Sequence, residues 1–161
     1  MRKSLSEKEL SFISRMELKE KYFFIREEIK DYFTSDNEMN VYLHRLKRKE
    51  RIIKLNKAKY FLIPVKAVGG KWSEHPYILI DEIMNGRDYC IVGKAAAHYW
   101  KWIEQIPVEY EVYTTKKQGI VDIFHTRLRF RRRRKIPQGV IKTILGHPFI
   151  IATKQGSERW K

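Results

Sequence analysis

The chain is poor in cysteine. Cys90 is the single cysteine in 161 residues, so no internal disulfide can form, and its place in the apolar run YCIV reads as a small buried side chain rather than a nucleophile. That suits a reducing cytoplasm. No apolar run approaches the roughly 20 residues that span a bilayer, and the start MRKSLSEKEL lacks the apolar segment of a signal peptide. No membrane partner is expected. Gly93-Lys94 stands outside the GxxxxGK spacing of a phosphate loop, and no G-x-S-x-G nucleophile elbow is present. The histidines His44, His75, His98, His125 and His147 are scattered, with no metal-ligand spacing to Cys90. Asp81, Glu82 and Asp122 could be recruited as metal ligands, yet Glu109 and Glu111 lack the following Lys of a nuclease strand. Neither enzyme activity nor a cofactor is expected, and a metal-dependent nuclease stays the third reading.

Acid is also scarce. Nineteen Asp and Glu face 34 Lys and Arg, leaving +15 and a pI near 9.9, which suits a polyanionic partner better than a small neutral ligand. Basic residues outnumber acidic ones 16 to 10 in residues 1–64 and 18 to 9 in 65–161, so both halves are basic and the charge of the second has to be explained too. A hydrophobic fraction of 43% is enough for real cores, in one domain or two small ones.

What the chain does have is concentrated between Phe33 and Pro64, FTSDNEMNVYLHRLKRKERIIKLNKAKYFLIP. Met39, Leu43 and Leu46 recur at i, i+4, i+7 and predict a helix lying on a core. Thr34, Ser35 and Asp36 are candidate N-caps, and Glu38 completes a capping box with Ser35. The outward set is Asn37, Asn40, Val41, His44, Arg45 and Arg48. It holds amides suited to adenine edges, a Val for a thymine methyl, and arginines for guanine or phosphate. A merely solvated face would more often carry Glu and Lys. After Glu50 the period falls to 2, and RIIKL and KYFLI form a hairpin about Asn56, Lys57 and Ala58. Eight basic residues between Arg45 and Lys59, Lys47 among them, meet the single acid Glu50, and Lys54, Lys57 and Lys59 would lie on phosphates.

Upstream, Ser6 and Glu9 cap a first helix over 5–20 with Leu10, Ile13 and Met16 as its apolar side. Tyr22 to Ile25 is a short strand beside the hairpin, and Arg26 to Tyr32 a second helix. Helix, strand, helix, turn, helix and hairpin is the order of a winged helix-turn-helix. The expected domains are that unit over 1–65, a Gly69-Gly70 linker over 66–72, and a second α+β domain over 73–161 with a mostly antiparallel sheet.

In the second half Pro76 opens a helix to Met84, Asn85-Gly86 turns, Tyr89 to Val92 is a buried strand, and GKAAAHYWKWI is a helix. Glu109 to Thr115, Ile120 to Phe124 and Thr126 to Arg134 are strands. The last sets Leu128 and Phe130 on one face and Arg127, Arg129 and Arg131 on the other. With Arg132, Arg133, Arg134 and Lys135, seven of nine residues are basic, and the arginines are expected to grip phosphate without reading sequence. The plain alternative is an edge strand guarded by charge. VIKTIL and FIIAT follow as strands broken by Gly146-His147-Pro148, and the end, TKQGSERWK, is short and polar. A second functional reading is an RNA-binding module, with Arg127–Lys135, Phe130, Trp100 and Trp102 holding the strand.

Two stretches resemble the AbiEi family, the antitoxins of type IV toxin-antitoxin and abortive-infection systems. One is Val41–Pro64; the other is Tyr89–Thr115, YCIVGKAAAHYWKWIEQIPVEYEVYTT, whose turn Glu104–Pro107 and following strand are its more specific part. The likeness runs from Leu10 to about Thr153. Glu50 departs from the family's usual Gly, Lys94 to Ala96 from its Ser-Ala-Leu, and members continue past the strand matching FIIAT into helix. The resemblance implies a regulator that binds double-stranded operator DNA, represses its own operon and counters a co-encoded nucleotidyltransferase-like toxin without necessarily binding it. A homodimer on the operator is compatible with that role.

Overall fold

Ser6 and Glu9 start the first helix as a reciprocal cap: the Ser6 hydroxyl accepts from the Glu9 N–H at 3.2 Å, and the Glu9 carboxylate accepts from the Ser6 N–H at 3.3 Å. The structure is a computed structural model and describes residues 4–64 and 74–161. Its class is α+β, and the chain divides into two units, Met1–Trp72 and Ser73–Lys161. The linker expected at 66–72 lies outside the described residues.

In the first unit, α1 is Glu7–Leu18, and its buried stripe is Phe12, Ile13 and Met16. Leu10, expected inside, is 43% exposed, because the helix is turned so that Phe12 faces in and meets Phe24, Tyr32 and Phe33. Strand β1 is Phe23–Ile25 and α2 is Arg26–Ile29. A 3-10 turn at Lys30–Tyr32 replaces the rest of the expected second helix. Helix α3 is Asp36–Arg48, capped by the Ser35 hydroxyl, which accepts from the Glu38 N–H at 3.1 Å. The Glu38 carboxylate returns to the N–H and hydroxyl of Thr34 and not to Ser35, so the expected box is displaced by one residue.

Strands β2, Ile52–Lys54, and β3, Lys59–Leu62, form the hairpin. Asn56 closes its turn by accepting from the N–H groups of Ala58 and Lys59 at 3.0 and 2.9 Å. The sheet is antiparallel in the order β1-β3-β2. Arg51, half-buried, donates to the carbonyls of Ile63 and Pro64 at 3.0 and 2.7 Å, tying the hairpin's two outer ends.

Met39, Leu43 and Leu46 of α3 are all nearly sealed and join Phe12, Ile13, Met16, Phe24, Ile29, Ile52 and Leu62 in one core. Each such side chain contributes about 2 kcal/mol by leaving water.

Glu9 has a second role that its capping position conceals. Only 1% exposed, it receives Lys49 Nζ at 2.7 and 2.9 Å on its two oxygens, so the start of α1 is bonded to the residue that ends α3. Burial pushes the Glu9 carboxyl up, but Lys49 and Ser6 outweigh it and hold the group below the ordinary carboxylate range.

In the second unit His75 caps α4, Pro76–Met84, its Nδ1 accepting from the Tyr77 N–H at 3.2 Å; burial pushes the imidazole pKa down, favouring the neutral acceptor. Asn85 ends α4 at φ 56°. Strand β4, Tyr89–Val92, is buried throughout. Helix α5, Gly93–Tyr99, is shorter than the expected GKAAAHYWKWI, because Trp100 caps it and Lys101 turns to φ 65°. Then come β5, Glu109–Thr114; β6, Gly119–Ile123; β7, Thr126–Arg132; β8, Gly139–Ile144; and β9, His147–Ala152. Leu145 and Gly146, at φ 51° and 79°, make the turn before β9, so His147 and Pro148 belong to the strand and not to the break. The polar end is ordered as α6, Lys154–Ser157, capped by the Thr153 hydroxyl, followed by a 3-10 turn at Glu158–Trp160.

The six strands lie in the order β6-β7-β5-β4-β9-β8, with β5/β7 and β4/β9 parallel and the other pairs antiparallel. Leu128 and Phe130 are fully buried on the face that packs α4, where Tyr77 meets Phe149 at a ring separation of 4.7 Å.

Glu9→Gln is expected to destabilise the full chain by about 2 kcal/mol in urea unfolding, since it leaves Lys49 without its anion. Because the folded carboxyl is held low, its contribution is complete above about pH 4.5 and is lost as pH falls through the folded pKa. The melting temperature of the wild type should therefore drop more steeply below pH 4.5 than that of Glu9→Gln, as read by circular dichroism.

Candidate nucleic-acid interface

Helix α3 has two sides with opposite chemistry. Asn37, Asn40, Val41, His44, Arg45, Lys47 and Arg48 are all exposed, as the wheel requires once Met39, Leu43 and Leu46 are inside. Asn37, Val41, His44 and Arg48 follow at i, i+4, i+7, i+11, which is one continuous row along a helix. Asn40 stands beside it and accepts from Arg26, a partner invisible in the sequence, so an amide and a guanidinium from α2 share one position. Arg45 lies over the Tyr42 ring at 5.7 Å, which steadies its stem without consuming its N–H donors. The last turn, with Arg45, Lys47 and Arg48, sits where the helix dipole favours cations, so part of this charge also stabilises the helix.

The hairpin follows within three residues of α3. Lys54 and Lys57 are exposed and Lys59 is half-buried; Lys54 Nζ stands 6.0 Å over Tyr60. The helix row and the hairpin lysines thus come from adjacent elements of one unit, with Lys49 held back from them by Glu9.

The arginine strand is built differently. Arg127, Arg129 and Arg131 do share one face of β7, opposite Leu128 and Phe130, but each meets a carboxylate from a neighbouring strand. Arg127 pairs with Asp122 at 3.1 Å and Arg131 with Glu111 at 3.4 Å. Arg129 grips Glu109 through two bonds of 2.8 and 3.1 Å. The Arg129 contact holds the Glu109 carboxyl below its ordinary range and raises the guanidinium in turn. The alternating arginines are therefore rungs of an ion-pair ladder across β6, β7 and β5, and a phosphate would compete with carboxylates already there. Arg132, Arg133 and Arg134 lie at or past the strand end and are exposed; Arg133 stacks over Tyr113 at 5.0 Å.

The RNA surface expected from Phe130, Trp100 and Trp102 with the arginine run does not assemble. Phe130 is fully buried on the face away from Arg129 and Arg131, and Trp100 donates to the carbonyl of Ala152, across the sheet from β7. The acids are separated too. Asp81, buried on α4, accepts from the Tyr89 hydroxyl at 2.7 Å and lies 3.0 Å from His147 Nε2, whereas Asp122 belongs to the ladder on the opposite face. Glu82 stands 3.7 Å from the same His147 nitrogen. Among the described residues no group of three His, Cys, Asp or Glu is placed to hold a metal ion. Cys90 is fully buried, and burial pushes its thiol up to about 12, which leaves little thiolate for nucleophilic attack. No helix among the described residues is long and apolar enough to cross a membrane.

No protein-family model matches the chain, and no curated protein matches it.

Releasing the ladder should expose its charge. Glu109→Gln combined with Glu111→Gln is expected to raise affinity for random-sequence duplex on the order of fivefold at low salt, whereas Arg129→Ala should change it by about twofold at most. Fluorescence anisotropy of a labelled duplex measures both.

Proposed function

We propose that the chain is a sequence-specific transcriptional regulator that binds double-stranded DNA through its first unit, in the manner of a winged helix-turn-helix. The order α1, β1, α2, α3, β2, β3 supports that reading, with α3 as the element for the major groove and the β2–β3 hairpin as the wing. The observation that carries it is the exposed row Asn37, Val41, His44 and Arg48, flanked by Asn40 and Arg45, on a helix whose other side is sealed in the core. Eleven helical residues span about 16 Å, the rise of about five base pairs. The amides and arginines read base edges, Val41 touches a thymine methyl, and Lys47, Lys54, Lys57 and Lys59 hold the backbone. Arg132, Arg133 and Arg134 add affinity without choice of sequence; Arg127, Arg129 and Arg131 do so only when phosphate displaces their carboxylates.

The likeness of Val41–Pro64 and Tyr89–Thr115 to the AbiEi antitoxins extends this to a role: repression of the chain's own operon, as a homodimer if the operator is two-fold, and neutralisation of a co-encoded nucleotidyltransferase-like toxin. Co-expression with a nucleotidyltransferase-like toxin from the same operon tests that part, rescue of growth supporting it and unrelieved toxicity, or an operon without such a gene, opposing it.

For DNA binding, labelled upstream sequence and a random duplex are titrated side by side. Arg48→Ala is expected to cost about 1–3 kcal/mol on the operator and far less on random duplex, and Lys57→Ala to weaken both alike. With about six phosphates neutralised, log K should fall against log salt with a slope near −5. Equal losses on both duplexes for both variants would contradict this division of labour.

A further inference from the structure

Three of the chain's four tryptophans come together with cations at the C-terminal end of the second unit, in a cluster outside the proposed duplex interface. Trp100 donates its indole N–H to the Ala152 carbonyl and Trp102 to the Lys154 carbonyl, both at 2.8 Å. These bonds fix both rings and use up their one polar handle. Each ring also has a cation over it. Lys142 of β8 stands 5.5 Å from Trp100, Lys154 and Lys161 at 6.0 and 5.4 Å from Trp102, and Arg159 at 4.5 Å from Trp160. All three tryptophans are half-buried, whereas Lys142, Lys154, Arg159 and Lys161 are exposed. The acid in this terminal stretch, Glu158, is paired with Lys161 at 3.0 Å.

We propose that the juxtaposition of Trp100, Trp102 and Trp160 with Lys142, Lys154 and Arg159 is a binding site for single-stranded nucleic acid. A stacked base takes the place of the exposed cation over a ring, and the cation it displaces meets the phosphate beside that base. A duplex keeps its base faces covered by its own stacking and offers this site only its backbone, so the preference is for single strands. An interfacial membrane site is disfavoured by the same geometry, because tryptophans at a bilayer surface present a free N–H to the headgroups, and two of these are bonded to main chain. The site does not use α3 and stands whether or not the chain binds an operator.

Intrinsic tryptophan fluorescence of the full chain reads it directly. Oligo(U) and oligo(dT) of about a dozen nucleotides are the probes. Either or both should quench the emission, with a salt slope near −3 if four phosphates are neutralised at a single-strand slope of about 0.7 each. Quenching should persist in Arg48→Ala. Lys142→Glu with Lys154→Glu, which leaves every indole hydrogen bond to main chain in place, should weaken it at least about tenfold; Lys142→Gln with Lys154→Gln serves if the charge reversal disturbs the thermal melt. Absence of quenching by both oligonucleotides overturns the proposal. So does quenching unchanged in the folded double variant, or a blue shift produced by anionic phosphatidylglycerol vesicles and by neither oligonucleotide.

Discussion

The buried contact between Glu9 and Lys49 is the constraint on which the sidedness of the first unit depends. Glu9 caps α1, and Lys49 is the residue at which α3 ends, so one carboxylate holds the start of one helix against the finish of the other. With that end fixed, Met39, Leu43 and Leu46 seat in the core beside Phe12, Ile13 and Met16, and Asn37, Val41, His44 and Arg48 have nowhere to face but water. Such a pair is stabilising only when the carboxylate's remaining capacity is met by other donors, and the Ser6 N–H supplies one. It also sorts the basic run. Lys49, half-buried, is paired with Glu9, while Arg45, Lys47 and Arg48, its near neighbours in sequence, are exposed.

The same residue type serves a different purpose on β7. Arginine at every second position could meet a polyanion, but the register sets Glu109 and Glu111 of β5 and Asp122 of β6 beside it. Cross-strand opposite charges stabilise a sheet, and here they reinforce the parallel pairing of β5 with β7, which has no hairpin to hold it. What decides between a ladder and a phosphate site is therefore the neighbouring strands rather than the arginine run itself. On α3 the acids are confined to the first turn, Asp36 and Glu38, and Glu38 is engaged with Thr34 and Lys8.

Much of the local structure was legible because it is set by contacts a few residues apart. The Ser6 and Ser35 caps, the stripe of Met39, Leu43 and Leu46, the Asn56 turn and the alternation of Arg127, Leu128, Arg129 and Phe130 all follow from periods of 3.6 or 2 and from turn chemistry. Leu10 was misplaced because Phe12 offers the larger apolar surface to the same core, and a wheel does not rank the two. The candidate site was legible where it depends on one helix and illegible where it depends on pairing. Glu9 and Lys49 are forty residues apart, and Arg129 meets Glu109 only because β5 and β7 run parallel, an order no periodicity encodes. The tryptophan cluster was half visible: Trp100 and Trp102 stand out, but Lys142 and Lys154 reach them only when β8 and α6 are in place. Arg159 and Lys161, flanking Trp160 near the chain's end, were the signal that could have drawn attention to it.

We propose that the exposed side of α3, and not the second unit, enters the groove of duplex DNA. Backbone amide shifts of the isotopically labelled full chain, followed by NMR during titration with its own upstream duplex, test this residue by residue. The perturbed amides are expected to concentrate in Asp36–Arg48 and in the hairpin about Lys54, Lys57 and Lys59. Perturbations confined to residues after 74, with α3 unmoved at saturation, would contradict it.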